Sequence, residues 1–267
     1  MNREITNKLS MTQNEIRQVV ADQFRLFEEE YHRHTYSGVQ LMQEVNDYVD
    51  RRSGKRLRPL LLLLADGGRD IVRASRLAAA MEMLHSASLM HDDVVDESTE
   101  RRGQESVNGH WGNAVAVLCG DYYLSRVMNI MNELDEKEAT RIVNNVVKEM
   151  CEGELIQQQY LRGGVFDKGS YMDVIYKKTA VLMRSCCELG NPLLREFGEH
   201  FGMAFQLRDD LMDYGTEETK TLPPLKELQA AFEQRIEAAV DSLSKLPETP
   251  YTKALKHLAL NLLQLSA

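Results

Sequence analysis

The sequence predicts an all-α chain, a single-domain bundle of about ten helices around a central cavity, and three observations predict its helical class. Apolar residues recur at three- and four-residue spacing over long stretches. No period-two run bounded by hairpin turn residues stands out. All six prolines fall at plausible helix edges. Residues 1–267 read as one domain, because no repeat or low-complexity segment interrupts the pattern. Bundles of this kind build sites from side chains that project inward from facing helices.

In chain order, Thr12 followed by Glu15 fits a capping box that opens a first helix running to Glu30. A second helix spans Val39 to Arg52 and ends at Ser53-Gly54. Lys55-Arg-Leu-Arg-Pro59 leads into a third. Proline favours the first helical position and the residue before it avoids the helical region, so Arg58 is expected just outside a helix N-terminus. Backbone N–H groups at such an end favour anions. A fourth helix, Ile71 to Asp96, carries an apolar run that ends in three aspartates. Arg101 to Asn113 reads as a polar loop. Helices then cover Asn113–Leu134 and Lys137–Leu161. Ser170 with Asp173 is expected to cap a helix to Leu189, and another spans Leu193–Tyr214. Leu225–Leu246 and Pro250–Leu265 are amphipathic and expected only to cover the core.

Two motifs carry chemistry. His91-Asp-Asp-Val-Val-Asp96 places Asp92 and Asp96 four residues apart on one helical face. Carboxylates that close raise one another's pKa unless a cation compensates them. Arg101 and Arg102 could do so; so could a hard cation such as Mg²⁺, held by one or two carboxylates plus substrate phosphates. A second copy, Asp209-Asp-Leu-Met-Asp213, again lies at the end of an apolar helix. Two such motifs far apart in the chain suggest two walls of one site for metal ions and a polyphosphate.

The composition narrows the class of partner. Lys+Arg 32 against Asp+Glu 41 gives 32 − 41 = −9, which argues against a nucleic-acid partner. Cys119, Cys151, Cys186 and Cys187 show neither metal-type spacing nor a disulfide framework and read as buried thiols of a reducing cytosol. Residues 1–20 lack the apolar core of a signal peptide, and the longest apolar run, Leu60–Ala65, is far short of a membrane span. A cytoplasmic protein is expected.

At these residues the chain resembles the trans-isoprenyl (polyprenyl) diphosphate synthases. The resemblance runs from Gly54 to Tyr214 with the motifs in the family's order: Gly54-Lys-Arg-Leu-Arg-Pro59, His85, Asp92–Asp96, Arg101-Arg-Gly103, Lys178-Thr179, and Phe205-Gln206 with Asp209–Asp213. It implies head-to-tail condensation of an allylic prenyl diphosphate with isopentenyl diphosphate. Asp92, Asp96 and Asp209 would hold three Mg²⁺, with Asp213 helping through water. Arg101 and Lys178 would touch the allylic diphosphate, with Thr179 and Gln206 beside it. Lys55, Arg58, His85 and Arg102 would bind isopentenyl diphosphate, and Lys177 would be solvated. The resemblance also implies a homodimer through Val115, Leu118 and Tyr122, and a product delivered to the membrane.

Product length follows from the same helix. A tail growing from Asp92 toward the helix N-terminus meets Ser88 and Ala87 about 6–8 Å away. Short-chain family members carry a bulky aromatic there. Two small residues imply a long-chain all-trans product, in the hexaprenyl-to-decaprenyl range, limited deeper by Leu84 and Met81; a farnesyl or geranylgeranyl product is the alternative.

The sequence departs from the family after Tyr214, where members carry a longer segment with a Gly-Lys pair. Here Gly215-Thr-Glu-Glu-Thr-Lys220 leads at once to Thr221-Leu-Pro, and Cys187–Pro192 is also short. Either the loops are deleted, which puts turnover in doubt but not metal binding, or mobile segments are missing from the chain; the second is preferred. Competing readings are a di-iron carboxylate bundle using Glu29-x-x-His32 and Glu82-x-x-His85, a non-catalytic regulatory subunit, and an ionising terpene cyclase.

Overall fold

A computed structural model describes residues 11–52, 54–101, 103–163, 167–215 and 222–265. The chain enters through α1 (Gln13–Gln18) and α2 (Ala21–Thr35), turns through α3 (Gln40–Arg51) and α4 (Leu57–Asp66), and reaches α5 (Ile71–Val95). A two-stranded ribbon, β1 (Glu100–Arg101) with β2 (Gln104–Glu105), and α6 (Val107–Trp111) lead to the long helices α7 (Asn113–Leu134) and α8 (Lys137–Leu161). Then come α9 (Lys168–Ile175), a π-helical turn (Tyr176–Ala180), α10 (Val181–Gly190), a 3-10 turn (Pro192–Leu194) and α11 (Arg195–Met212). The chain closes with α12 (Leu225–Ser242) and α13 (Pro250–Asn261).

Helix α5 is the axis. Its apolar residues point all round, and it packs against α2, α4, α7 and α10. A helix apolar on every face must lie inside the protein. Leu60 to Leu64 of α4 are all buried, so α4 and α5 together form the centre of the core. Asp70 caps α5 by accepting from Arg73 N–H. At the other end the helix terminates in the first aspartate motif, with Asp96 as its C-cap residue.

Most helices follow the sequence pattern, and the differences have local causes. The Thr12–Glu15 capping box is present, but the first helix breaks after Gln18 and restarts at Ala21. Val19 and Val20 are both β-branched, and Val20 leaves helical geometry while remaining fully buried. Asp167, not Ser170, caps the helix that follows residue 167, by accepting from Ser170 N–H. The expected loop from Arg101 to Asn113 contains the ribbon and α6, with Ser106 capping α6. Arg58 lies inside the first turn of α4 rather than outside it. The chain break comes two residues earlier, at Arg56, whose φ of 47° is left-handed. Cys151 is exposed, whereas Cys119, Cys186 and Cys187 are buried.

The short Cys187–Pro192 connection is a finished turn. Asn191 N–H donates to Cys187 C=O (2.8 Å), and Arg73 Nη1 donates to Leu189 C=O (3.0 Å). A Cβ on Gly190 would come within 2.6 Å of Leu62 O, so the turn seats directly on α4. Residues 187–192 are thus packed tightly against α4 and α5. The segment 216–221, with Lys220, lies outside the described residues, as does Arg102.

Candidate active site

In each aspartate motif the middle residue is held by side chains from other parts of the fold. Asp93 is 4% exposed. Arg101 grips it with Nε at 2.9 and 3.1 Å from its two oxygens and Nη2 at 2.6 Å. Such bidentate pairs fix geometry as well as charge. Asp93 C=O also accepts from Ser98 N–H (2.9 Å) and Asn108 Nδ2 (3.1 Å), anchoring the ribbon to the end of α5. Arg101 is thus fixed on Asp93, and from there its charge also acts to lower the pKa of Asp92.

In the second motif, Asp210 accepts from the Tyr171 hydroxyl and from Gln206 Nε2 (2.9 Å). Burial raises its pKa, and those two hydrogen bonds oppose the rise. Asp209 is held beside Arg208, whose Nη2 lies 2.6 Å from Oδ1. Asp213 is the C-cap residue of α11, as Asp96 is of α5.

The turn Tyr176–Ala180 connects the two arms. Lys178 Nζ lies 2.6 Å from Glu154 Oε1 and donates to Gln157 Oε1 at 2.8 Å, both on α8. The next residue, Thr179, donates from its hydroxyl to Gln206 Oε1 at 2.7 Å, and Gln206 is the residue that holds Asp210. A π-turn inserts one extra residue, so consecutive side chains can serve neighbours that a regular helix would not reach together, and such turns recur at functional sites. Two glycines let it fit. A Cβ on Gly153 of α8 would lie 2.8 Å from Lys177 Cβ, and one on Gly202 of α11 would lie 2.6 Å from Ala180 Cα.

The same turn electrically reaches the first motif. Burial pushes the Asp92 carboxyl up to about 7; the charge of Glu154 adds to the rise, Lys178 opposes it, and Asp96 adds again. Glu154 and Gln157 were not anticipated from sequence. The available signal was Gly153-Glu154-x-x-Gln157, small and polar residues on one face of a helix whose neighbours are longer.

The remaining candidates lie along α5 and around the start of α4. His85 is half-buried about two turns before Asp92, Lys55 is exposed, and Arg58 is half-buried. Arg56 of the same basic cluster is structural: it bonds Glu82 Oε1 (3.0 Å) and Asp50 Oδ1 (2.5 Å) and lies 4.4 Å from the Tyr31 ring centroid. Lys177 is not solvated, since its Nζ meets Glu152 Oε2 at 2.8 Å and its side chain is 17% exposed. Ala87 is fully buried, and Ser88 is half-buried with its hydroxyl on His85 C=O (2.9 Å). Glu82 is occupied by Arg56 and His32 by Asp50, which removes the ligands of a di-iron reading.

Among the described residues no three carboxylates, imidazoles or thiolates converge into a ready cage for a metal ion. The donor set is nonetheless that of a hard cation: carboxylates at two helix ends, one of them with a pKa raised by burial and then by neighbouring carboxylates. Mg²⁺ is commonly bound this way, through one or two carboxylates completed by substrate phosphate.

The profile of the polyprenyl synthetase family matches residues 39–227. The chain belongs to that family. Component 2 of heptaprenyl diphosphate synthase from Geobacillus stearothermophilus is 33% identical over 257 residues, covering 86% of this chain and 78% of that protein. An all-trans-nonaprenyl diphosphate synthase from Rhodobacter capsulatus is 37% identical, covering 76% of this chain and 66% of its own length. Among solved structures, a decaprenyl diphosphate synthase from Rhodobacter capsulatus superposes with a TM-score of 0.84 at 25% identity, covering 96% of this chain and all of that one. A polyprenyl synthase from Caulobacter crescentus, solved with calcium and isoprenyl diphosphate, gives 0.82 at 25% identity, over 94% of this chain and 97% of that one. These polyprenyl synthetase relatives are prenyltransferases, and their all-α architecture is the one described above.

Proposed function

We propose that this chain condenses an allylic prenyl diphosphate with isopentenyl diphosphate, head to tail, and releases a long-chain all-trans polyprenyl diphosphate. The observation that carries the reading is the π-turn. Lys178 serves the arm of Asp92 and Thr179 the arm of Asp210, so one element ties both carboxylate motifs to a single site. The long-chain product is supported by the heptaprenyl and nonaprenyl relatives and by the small residues at 87 and 88.

Asp92, Asp96 and Asp209 would hold Mg²⁺, three ions in all, with Asp213 behind them. Bound there, Mg²⁺ would supply Lewis-acid stabilisation of the diphosphate's negative charge. The chain's own groups do the rest. Lys178, steadied by Glu154 and Gln157, and Arg101, oriented by Asp93, place cationic N–H groups where charge develops as the allylic C–O bond breaks. Thr179 and Gln206 keep each other oriented beside them. Lys55, Arg58, His85 and Arg102 would seat isopentenyl diphosphate so that its double bond attacks the allylic carbon. The proton lost as the new double bond forms leaves on the departing diphosphate, so no dedicated base is needed.

The chain acts as one domain over 1–267 and works in the cytoplasm, with its product passed to the membrane. No described helix is long and apolar enough to cross a bilayer. A homodimer would form through α7. Leu118 is 67% exposed there, whereas Val115 and Tyr122 are packed largely on their own core, so Leu118 and the exposed Met128, ten residues on, would carry the contact. The relative's designation as component 2 favours a second reading, pairing with a different polypeptide.

Incubation with Mg²⁺, farnesyl diphosphate and isopentenyl diphosphate, followed by chromatography, tests the reading. Prenyl products longer than geranylgeranyl support it, and unreacted substrates overturn it. Sedimentation at micromolar concentration separates a homodimer from a monomer that needs a partner.

A further inference from the structure

The last turn of α3 touches both substrate-binding segments. Tyr48 donates its hydroxyl to Glu105 C=O at 2.8 Å, and Arg52 Nη1 donates to the same oxygen at 2.6 Å. That oxygen belongs to β2, which pairs Gln104 with Arg101 and Glu105 with Glu100. The Arg52 guanidinium lies 3.2 Å from the Tyr48 ring centroid, and the ring is stacked on His110 (5.3 Å) and edge-on to Trp111 (4.8 Å). His110 in turn reaches Glu105 Oε2 at 2.8 Å. The ribbon is therefore held at two points, by Asp93 on α5 and by Tyr48 and Arg52 on α3.

Between those two residues stands Asp50, and it serves the other segment. Its Oδ1 takes Arg56 Nη2 at 2.5 Å and its Oδ2 takes His32 Nε2 at 3.0 Å. Arg56 is 8% exposed, in a left-handed conformation, and also bonded to Glu82. A non-glycine residue at positive φ persists only where its surroundings over-determine it. Asp50 and Glu82 supply that constraint, and so fix the direction in which Lys55 and Arg58 leave the hinge.

We propose that Tyr48, Asp50 and Arg52 are positioning residues that mount the two diphosphate-binding segments on one helix turn, Tyr48 and Arg52 setting the ribbon that carries Arg101 and Asp50 setting the hinge that aims Lys55 and Arg58. The assignment of these segments to different diphosphates rests on the function proposed above. All three act through the segments they hold. The ring stack and the cation over it explain why an exposed arginine at a helix end holds a defined geometry.

The mounting is tested on the full chain by amide hydrogen exchange and by kinetics. Tyr48→Phe and Arg52→Ala should raise exchange at least about threefold in residues 98–106 while leaving 54–60 unchanged, because Ser106 N–H is protected by Thr99 C=O within the ribbon. Asp50→Asn should do the reverse. Arg52→Lys, which keeps a cation over the ring, should restore most of the protection. In turnover, Tyr48→Phe should raise KM for the allylic diphosphate about three- to tenfold with KM for isopentenyl diphosphate unchanged, and Asp50→Asn should show the opposite split. Exchange that rises in both segments alike, or in neither, overturns the mounting. A normal exchange split in a chain that makes no prenyl product leaves the mounting standing and overturns the function instead.

Discussion

Lys178 Nζ lies 2.6 Å from Glu154 Oε1, and this pair joins the π-turn to the helix that faces the first aspartate motif. Two carboxylates, Asp92 and Glu154, thereby share the field of one lysine. The arrangement is over-acidic by itself, and it is suited to receive cations together with an anionic substrate.

The outer and middle aspartates should separate on mutation. Asp92→Asn removes a group whose ionisation burial already opposes, so the melting temperature should hold or rise while turnover falls on the order of 100- to 1000-fold. Asp93→Asn should instead loosen Arg101 and cost about 1.5–3 kcal/mol, the usual worth of a hydrogen bond to a charged group. Thermal melting and steady-state rates on the two variants decide it. Equal stability losses would contradict the division of roles.

Gly153→Ala should disable the site more than the fold. Its new methyl would lie 2.8 Å from Lys177 Cβ and 3.1 Å from Lys178 Cγ, so α8 or the turn must shift. A shift of this size moves Lys178 relative to Asp92, and misplacement near 1 Å can cost about 100-fold in rate. A turnover loss of at least tenfold is expected in a variant that still melts cooperatively. Unchanged turnover would mean that the spacing of α8 and the turn does not set the site.

Ala87→Phe should shorten the product. Ala87 is fully buried, so the larger ring costs about 1–3 kcal/mol through overpacking. If the growing tail follows α5 toward its N-terminus, that ring closes the route, and product analysis should shift toward farnesyl or geranylgeranyl length with the first condensation preserved. Ser88→Phe should act in the same direction. An unaltered chain-length distribution would place the tail elsewhere.

The histidine contribution to stability should decline on acidification through the imidazole range. Burial lowers the pKa of His34, His200 and His257 below the usual value near 6.5. The unfolded chain then binds imidazole protons that the folded chain refuses, so the histidine contribution to stability rises with pH across this window and is lost as pH falls below about 6.5. The raised Asp92 and Asp210 carboxyls contribute with the opposite sign. His34 is the strongest case, 1% exposed with Arg33 Nη2 2.9 Å from its Nε2. Denaturant titrations at several pH values should show the slope, and His34→Gln should reduce it.

The aspartate motifs and the long helices were legible because each is written in contiguous residues: Asn113–Leu134 and Lys137–Leu161 agree with the pattern at both ends. Glu154 and Gln157 were not, because a polar face beside Gly153 looks like solvated surface until α9 to α11 are placed against it. The ribbon has two residues per strand, too few for a period-two signal. The π-turn leaves no mark at all, since one inserted residue changes the phase of a helix and not its composition. Lys177 was misjudged for the same reason: its partner, Glu152, is twenty-five positions away.

The tethering of the two middle aspartates also sets an order of assembly. Asp93 is secured by Arg101, eight residues on, whereas Asp210 waits for Tyr171, thirty-nine residues back. Short loops close at smaller entropic cost and sooner than long ones. On a growing or refolding chain the first arm can therefore take shape while residues beyond α6 are still unstructured, and the second arm forms only when α9 and α11 have met. Pulse-labelling exchange during refolding should find the Asp93–Asn108 amides protected ahead of those around Asp210.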